Sequence, residues 1–172
     1  MDDHFIKYTD CIVDCSTSGE DCTSYIITAT TALSLTIECS DTSQSYPRCD
    51  RMTVYCPYST ISTCRINCGS YQCYRTVINY PQPQNLYINC YGEQSCVYLQ
   101  LLGPDTYSSA TVSNTATILC YSSTYKGQCS YASFDISYVA NANIKCSNIY
   151  RPYSSASNYY SACYQTTFRS NK

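Results

Sequence analysis

The feature that most constrains this chain is a short recurring unit: an aliphatic residue, one further residue, and then cysteine. The unit occurs at Val13/Cys15, Ile37/Cys39, Val54/Cys56, Ile66/Cys68, Ile88/Cys90, Ile118/Cys120 and Ile144/Cys146. A spacing of two residues puts both members on one face of a β-strand. The recurrence therefore predicts a structural repeat built from strands.

The unit belongs to a longer order of strand, loop and strand. After nearly every unit a polar loop leads to a second cysteine and then to another β-rich stretch, predicted at 25–27, 52–54, 76–78, 97–101, 134–136 and 166–168. Successive leading cysteines, with Cys56 left aside, are 24, 29, 22, 30 and 26 residues apart. Such periods indicate a solenoid, in which each unit buries its apolar face against its neighbours.

These observations predict an all-β fold: a disulfide-rich parallel β-helix of about six irregular coils. Strong helix formers are scarce, whereas Thr, Tyr, Ile and Val are frequent. The alternative is an antiparallel β-sandwich, which also has many short strands. The unit always precedes its loop, and this favours the β-helix. We expect one domain over residues 1–172, with residues 1–10 as a terminal arm.

The cysteine content indicates an oxidising compartment. Fifteen cysteines in 172 residues are typical of a disulfide scaffold in a protein that is secreted or lies on the cell surface. There is no Cys-x-x-Cys motif, and His4 is the single histidine, so the spacing of a structural zinc site is missing. We expect no metal and no cofactor.

Pairing each leading cysteine with its follower predicts seven disulfides across short loops. They are Cys15–Cys22, Cys39–Cys49, Cys56–Cys64, Cys68–Cys73, Cys90–Cys96, Cys120–Cys129 and Cys146–Cys163. Pairs Cys11–Cys15 and Cys64–Cys68 remain alternatives, because sequence does not fix connectivity. The odd residue, Cys11, is a candidate for an intermolecular bridge; the other readings are a buried thiol or a bond to a missing partner.

Catalytic chemistry is poorly represented in the sequence. His4 lies near the terminus, so a Ser/His/Asp or Cys/His arrangement lacks a well-placed base. The later part of the chain offers only Glu93, Asp105 and Asp135 as acids, and we expect these in solvated turns. Phosphate-binding glycine motifs and a basic stripe are missing, so we expect no enzyme activity and no nucleic-acid partner. The most apolar run is too short for a membrane span.

The surface is predicted to be rich in hydroxyl groups and tyrosine. The chain has 21 tyrosines and no tryptophan, and tyrosine suits protein contacts or stacking on carbohydrate. No Asn-x-Ser/Thr sequon occurs. The predicted O-glycosylation sites lie in two uncharged hydroxyl clusters, at Thr106, Ser108, Ser109, Thr111, Ser154, Ser155 and Ser157.

Part of the chain resembles a known class of repeat. The segments are Val54-Tyr55-Cys56-Pro57, Cys64-Arg65-Ile66-Asn67-Cys68 followed by Cys73, and Tyr87-Ile88-Asn89-Cys90. They resemble the cysteine-rich β-helical repeats of large extracellular proteins from unicellular eukaryotes, over roughly residues 11–146. The resemblance implies a surface or fibre-forming role and brings no catalytic residues.

Two functions are consistent with these features. Residues 1–50 carry a net charge of −7 and residues 51–172 a net charge of +5, which favours head-to-tail contact between copies of the chain. The first function is a non-enzymatic structural subunit of an extracellular filament, with an axial rise of about 25–35 Å per copy. The alternative is a monomeric carbohydrate-binding or adhesion module with glycans as partners.

Overall fold

The chain folds into β-strands alone in the part that the structure describes. The computed structural model describes residues 9–16, 21–39, 48–59, 61–81, 85–103, 114–122, 127–137, 139–148 and 162–170. Its strands are β1 (Asp10–Asp14), β2 (Ile26–Thr28), β3 (Ser34–Cys39), β4 (Thr53–Tyr55), β5 (Thr63–Cys68), β6 (Val77–Asn79), β7 (Asn85–Tyr91), β8 (Gln100–Leu102), β9 (Thr115–Ser122), β10 (Ser133–Asp135), β11 (Asn141–Asn148) and β12 (Thr167–Arg169).

The strands form two parallel sheets. The odd-numbered strands make sheet 1, in the order β1-β3-β5-β7-β9-β11, and the even-numbered strands make sheet 2, in the order β2-β4-β6-β8-β10-β12. Each winding of the chain therefore adds one long strand to sheet 1 and one short strand to sheet 2. The fold is the predicted parallel β-helix, with six windings in the described residues, and the antiparallel sandwich is excluded.

Sheet 1 keeps one register from end to end. Its inward-facing aliphatic residues pair in a single row: Val13, Ile37, Ile66, Ile88, Ile118 and Ile144. The leading cysteines from Cys39 to Cys146 form a second row two residues further along. The residue numbers of paired residues differ by the repeat lengths counted along the sequence, because paired residues occupy the same place in successive repeats.

The core lies between the two sheets, and the sizes of the side chains that fill it differ from one winding to the next. Leu86 and Leu101 face inward in the winding of β7 and β8, whereas the next winding combines the small Ala116 with the large Phe134. All four side chains are buried. In the second of these windings a larger side chain in sheet 2 thus accompanies a smaller one in sheet 1, as the close packing of protein interiors requires.

One member of the recurring unit lies in the other sheet. Val54 belongs to β4 in sheet 2, where it pairs with Ile27 and Ile78. Cys56 follows β4 and joins Cys64, which takes the inward position that Leu35 and Leu86 take in their own strands. The local pattern of the unit is the same in both sheets, so the pattern alone does not distinguish them.

Seven pairs of cysteines lie at disulfide distance. They are Cys15–Cys22, Cys39–Cys49, Cys56–Cys64, Cys68–Cys73, Cys90–Cys96, Cys120–Cys129 and Cys146–Cys163, the same pairs that the sequence predicts. Six of them cross the corner between sheet 1 and sheet 2, and the loops they close span 5 to 17 residues. The loops vary in length while the corner itself is repeated.

The corner has a repeated backbone conformation. In the six corner disulfides, the second residue after the follower cysteine has a positive φ angle, between 50° and 62°, and none is glycine: Ser24, Arg51, Arg75, Tyr98, Tyr131 and Gln165. This conformation costs a non-glycine residue about 1–3 kcal/mol. The first five donate their N–H to a carbonyl of the following winding, at 2.8–3.0 Å. Contact with the next winding therefore stabilises these five turns.

The described part contains no helix long and apolar enough to cross a bilayer. Residues 1–8 of the predicted terminal arm lie outside the described ranges, and Asp10 is the first residue of β1. The last residue of that arm is thus already part of sheet 1.

Truncation of a core isoleucine should weaken the whole solenoid. Ile88 is 1 % exposed in the central row of sheet 1, so Ile88→Ala should lower the free energy of unfolding by about 2–5 kcal/mol. Ile61 is 69 % exposed, and Ile61→Ala should change it by no more than about 0.5 kcal/mol. Urea unfolding followed by circular dichroism measures both, and equal losses would contradict the assigned core.

The disulfide pattern can be mapped by mass spectrometry of a digest made without reduction. We expect seven linked peptide pairs that match the bonds above, and a Cys11 peptide outside all of them. Detection of Cys11–Cys15 or Cys64–Cys68 in native material would contradict this pairing.

Candidate assembly surfaces at the two ends

The stacking order leaves the two ends of the solenoid with different strands. We call the outer side of the first winding, formed by β1 and β2, the head, and the outer side of the last winding, formed by β11 and β12, the tail. Among the described residues each of these strands pairs on one side alone. The head and tail therefore present parallel strand edges, which are templates for further strand pairing.

Apolar side chains that face the interior are only partly covered at these ends. Val13 and Ile27 pack against the core from the head, and Ile144 does so from the tail. Phe168 of β12 stacks on the buried Phe134, with ring centroids 5.4 Å apart, yet it is 42 % exposed. One face of its ring packs on the core, and the end of the solenoid leaves much of the rest uncovered.

The two ends have opposite charge. The described residues of the first winding include Asp10, Asp14 and Asp21 and no basic residue. Those of the last winding include Lys145 and Arg169 and no acidic residue. Arg169 also lies 3.9 Å from Asp135 of the preceding winding. The charge asymmetry along the sequence thus becomes an axial asymmetry, because the windings follow one another in chain order.

Local hydrogen bonds favour the ionised form of two head carboxylates. Asp14 accepts hydrogen bonds from the hydroxyl and the backbone N–H of Ser16, and these lower the pKa of Asp14 from its usual 3.8. Bonds from Thr23 lower the pKa of Asp21 in the same way. Both groups stay negative at any pH near neutrality.

One outer row of sheet 1 shows the charge gradient directly. Its residues, in axial order, are Asp14, Glu38, Asn67, Asn89, Leu119 and Lys145. Asn67 donates to the Glu38 carboxylate at 2.6 Å. The row begins with two acids, continues through neutral residues and ends with a base.

A column of tyrosines runs along the disulfide corner. It contains one tyrosine from each of the last four windings, Tyr74, Tyr98, Tyr131 and Tyr164, with successive ring centroids 5.5, 5.0 and 5.6 Å apart. The guanidinium carbon of Arg75 lies 5.0 Å from the Tyr74 ring and 5.9 Å from the Tyr98 ring. Sequence reasoning predicted a tyrosine-rich surface but missed this column, since its members stand at different distances from their cysteines.

The remaining predicted site residues fall into three groups. Cys11 is half-buried on the inward side of β1, opposite Leu35, and has no disulfide. Glu93 accepts a hydrogen bond from the Tyr71 hydroxyl, and Asp135 faces Arg169, so each of these acids has a local partner. Asp105 and all the predicted O-glycosylation sites, at 106–111 and 154–157, lie outside the described residues.

The disulfides themselves form a column of sulfur inside the corner. Sulfur atoms from neighbouring windings lie within 4.8 Å of one another, as in the groups Cys68, Cys90, Cys96 and Cys90, Cys120, Cys129. Metal binding by cysteine requires a thiolate. In the bonded state these sulfurs form part of the buried core rather than a metal centre.

Removal of one tyrosine from the column should be measurable as a loss of stability. Tyr98→Ala removes ring contacts on both sides and the contact with Arg75, and should lower the free energy of unfolding by about 1–3 kcal/mol. Tyr58→Ala is the matched control, because Tyr58 is exposed and lies outside the column. Thermal unfolding of both variants measures the difference; equal stability of the two would show that the column contributes nothing.

Comparison with protein-family models, with curated proteins and with solved structures finds no match to this chain. The resemblance to extracellular cysteine-rich repeats therefore stays a prediction from short motifs. The architecture and the chemistry of the two ends are what bear on function.

Proposed function

We propose that this protein is a non-enzymatic structural subunit that assembles head-to-tail into an extracellular filament. The observation that carries the proposal is the unlike pair of ends: an acidic strand edge at the head and a basic strand edge at the tail. Contact between unlike faces of successive copies does not close on itself unless the rotation returns to the start. A stack of coaxial solenoids is the open form of such a contact.

The fold supplies the backbone chemistry for this contact. Each winding already pairs with the next through parallel ladders in both sheets. Pairing of β11 and β12 with β1 and β2 of another copy repeats a contact that the molecule makes five times within itself. No new type of interaction is required at the junction.

Burial of the half-covered end residues would favour association. Full burial of an aliphatic or aromatic side chain contributes about 1.5–3 kcal/mol, and the tail offers Ile144 and Phe168 to Val13 and Ile27 of the head. Several such contacts are needed, because association costs at least about 4 kcal/mol in lost translational and rotational freedom. Complementary charge adds attraction and excludes head-to-head and tail-to-tail contacts.

The disulfides are typical of extracellular or secreted proteins, and this supports the extracellular part of the proposal. O-glycans at the predicted sites remain part of it as an expectation from sequence: Thr106, Ser108, Ser109, Thr111, Ser154, Ser155 and Ser157.

A second candidate function, a carbohydrate-binding or adhesion module that acts as a monomer, is favoured by the tyrosine column. Tyr98 is 41 % exposed beside Arg75, and phenol hydroxyls and guanidinium groups both hydrogen-bond to sugar hydroxyls. Saturable binding of the monomer on a glycan array, lost in Tyr98→Ala and kept in Tyr58→Ala, would support this function over the filament.

Negative-stain microscopy of the purified oxidised protein tests the filament. We expect unbranched filaments one solenoid wide, with an axial repeat near 30 Å from six windings at roughly 4.8 Å each. Because 1 M salt shortens the Debye length to about 3 Å, filaments should shorten or dissociate when salt is raised to that level. Monodisperse particles at every salt concentration and pH would refute the proposal.

The pH dependence of the same assembly follows from the head carboxylates. The Asp14 pKa lies below 3.8, so its charge is present above that pH and is lost as the pH falls through the lowered pKa. Glu38 of β3 lies beside it in the second winding, and its carboxylate adds to the negative charge near the head. Light scattering should show intact filaments at pH 5, and scattering should be lost only below pH 3.8, as the pH falls through the lowered pKa of Asp14.

A further inference from the structure

We infer that successive copies join in one defined register, in which Lys145 of the tail lies directly opposite Asp14 of the next head. In the same register Ile144 lies opposite Val13 in sheet 1, and Phe168 lies opposite Ile27 in sheet 2. This inference rests on the proposed head-to-tail assembly and specifies its contacts. The partner it commits to is a second copy of this chain.

The register is the one that the molecule uses internally. Five successive strand pairings in sheet 1 place aliphatic residue on aliphatic residue, from Val13 to Ile144, without a slip. A sixth step in that register brings Val13 of the next copy onto Ile144. Cys146 then meets Cys15, so the column of disulfides continues through the junction.

Other registers either interrupt the buried core at the junction or separate Lys145 from Asp14. A slip of one residue sets the outward residues of one copy opposite the inward residues of the other, so Lys145 would lie opposite Val13 or Cys15 and the core would not continue across the junction. A slip of two keeps the faces but sets Lys145 opposite Ile12 or Ser16. Of these, only the unslipped register places the exposed base of β11 opposite a carboxylate.

Sheet 2 leads to the same alignment independently. Within the molecule its inward row contains Ile27, Val54, Ile78, Leu101, Phe134 and Phe168. Continuation of that row brings Ile27 of the next copy onto the exposed face of Phe168. Two sheets on different sides of the solenoid therefore agree on one junction.

Carbodiimide cross-linking of assembled filaments tests the register at the level of residues. The reagent activates a carboxylate as an O-acylisourea; the amine of a nearby lysine attacks its carbonyl, an amide bond forms, and the urea leaves. Digestion and mass spectrometry should show Lys145–Asp14 as the main link made by Lys145. If filaments are present but Lys145 is linked to Asp10 as often as to Asp14, or mainly to Glu38, the register is wrong while the filament stands.

Charge reversal gives a second test that does not depend on chemical reactivity. Lys145→Glu and Asp14→Lys alone should each raise the critical concentration for assembly about five- to tenfold, since each replaces an attraction by a repulsion. In a mixture of the two variants, every junction between one variant and the other again sets opposite charges against each other, so the mixture should assemble like the unmodified protein. The double variant, in which the two charges are exchanged, should do the same. Arg65→Glu, which makes the same charge change on the outer face of β5, is the control and should assemble normally.

The outcomes separate the two proposals. Assembly by every variant at the same concentration would overturn the Lys145–Asp14 contact and leave head-to-tail assembly in place. Absence of filaments in the unmodified protein would overturn both. Failure of Arg65→Glu to assemble, together with the other single variants, would show that total charge rather than the junction governs assembly, and would overturn the register.

Discussion

The constraint on which this structure depends is that no winding buries its own apolar face. A winding contributes a few inward residues from sheet 1 and a few from sheet 2, and these become buried only when another winding lies on each side. The row from Val13 to Ile144 shows this directly, because its central members are fully buried and its end members are not. Parallel pairing without a slip keeps that row continuous, and the disulfides, corner hydrogen bonds and tyrosine column all follow its spacing.

Much of this was predictable from the sequence because a solenoid preserves chain order in space. Ile37, Ile66 and Ile88 each stand two residues before a cysteine, and equivalent residues of a repeat stack on one another. Disulfides such as Cys68–Cys73 join neighbours in sequence, so pairing the cysteines in chain order predicted them, although the sequence also allowed Cys11–Cys15 and Cys64–Cys68. The acidic head and basic tail follow for the same reason: charge that is segregated along the chain is segregated along the axis.

Other features were not predictable, because they depend on which sheet a strand joins and on how the turns orient the side chains, and not on the order of residues along the chain. Val54 and Cys56 match the recurring unit but lie in sheet 2, since a two-residue period describes a strand on either side of the solenoid equally well. The tyrosine column brings together Tyr74 and Tyr164, which directly follow their cysteines, with Tyr98 and Tyr131, which stand one residue further on. The turn geometry brings these rings into line, and the left-handed backbone of residues such as Arg75 has no signature in a chain that uses no glycine there.

Those left-handed corners also bear on how the chain reaches its fold. An isolated winding would carry the strain of its corner without the hydrogen bond from the neighbouring winding that offsets it, and it would leave its aliphatic residues in water. A single winding is therefore a poor folding nucleus, and a fully buried winding requires one neighbour on each side, that is, three windings formed together. A solenoid can extend such a nucleus by adding windings to its edge, and growth of a filament would be the same addition continued from one molecule to the next.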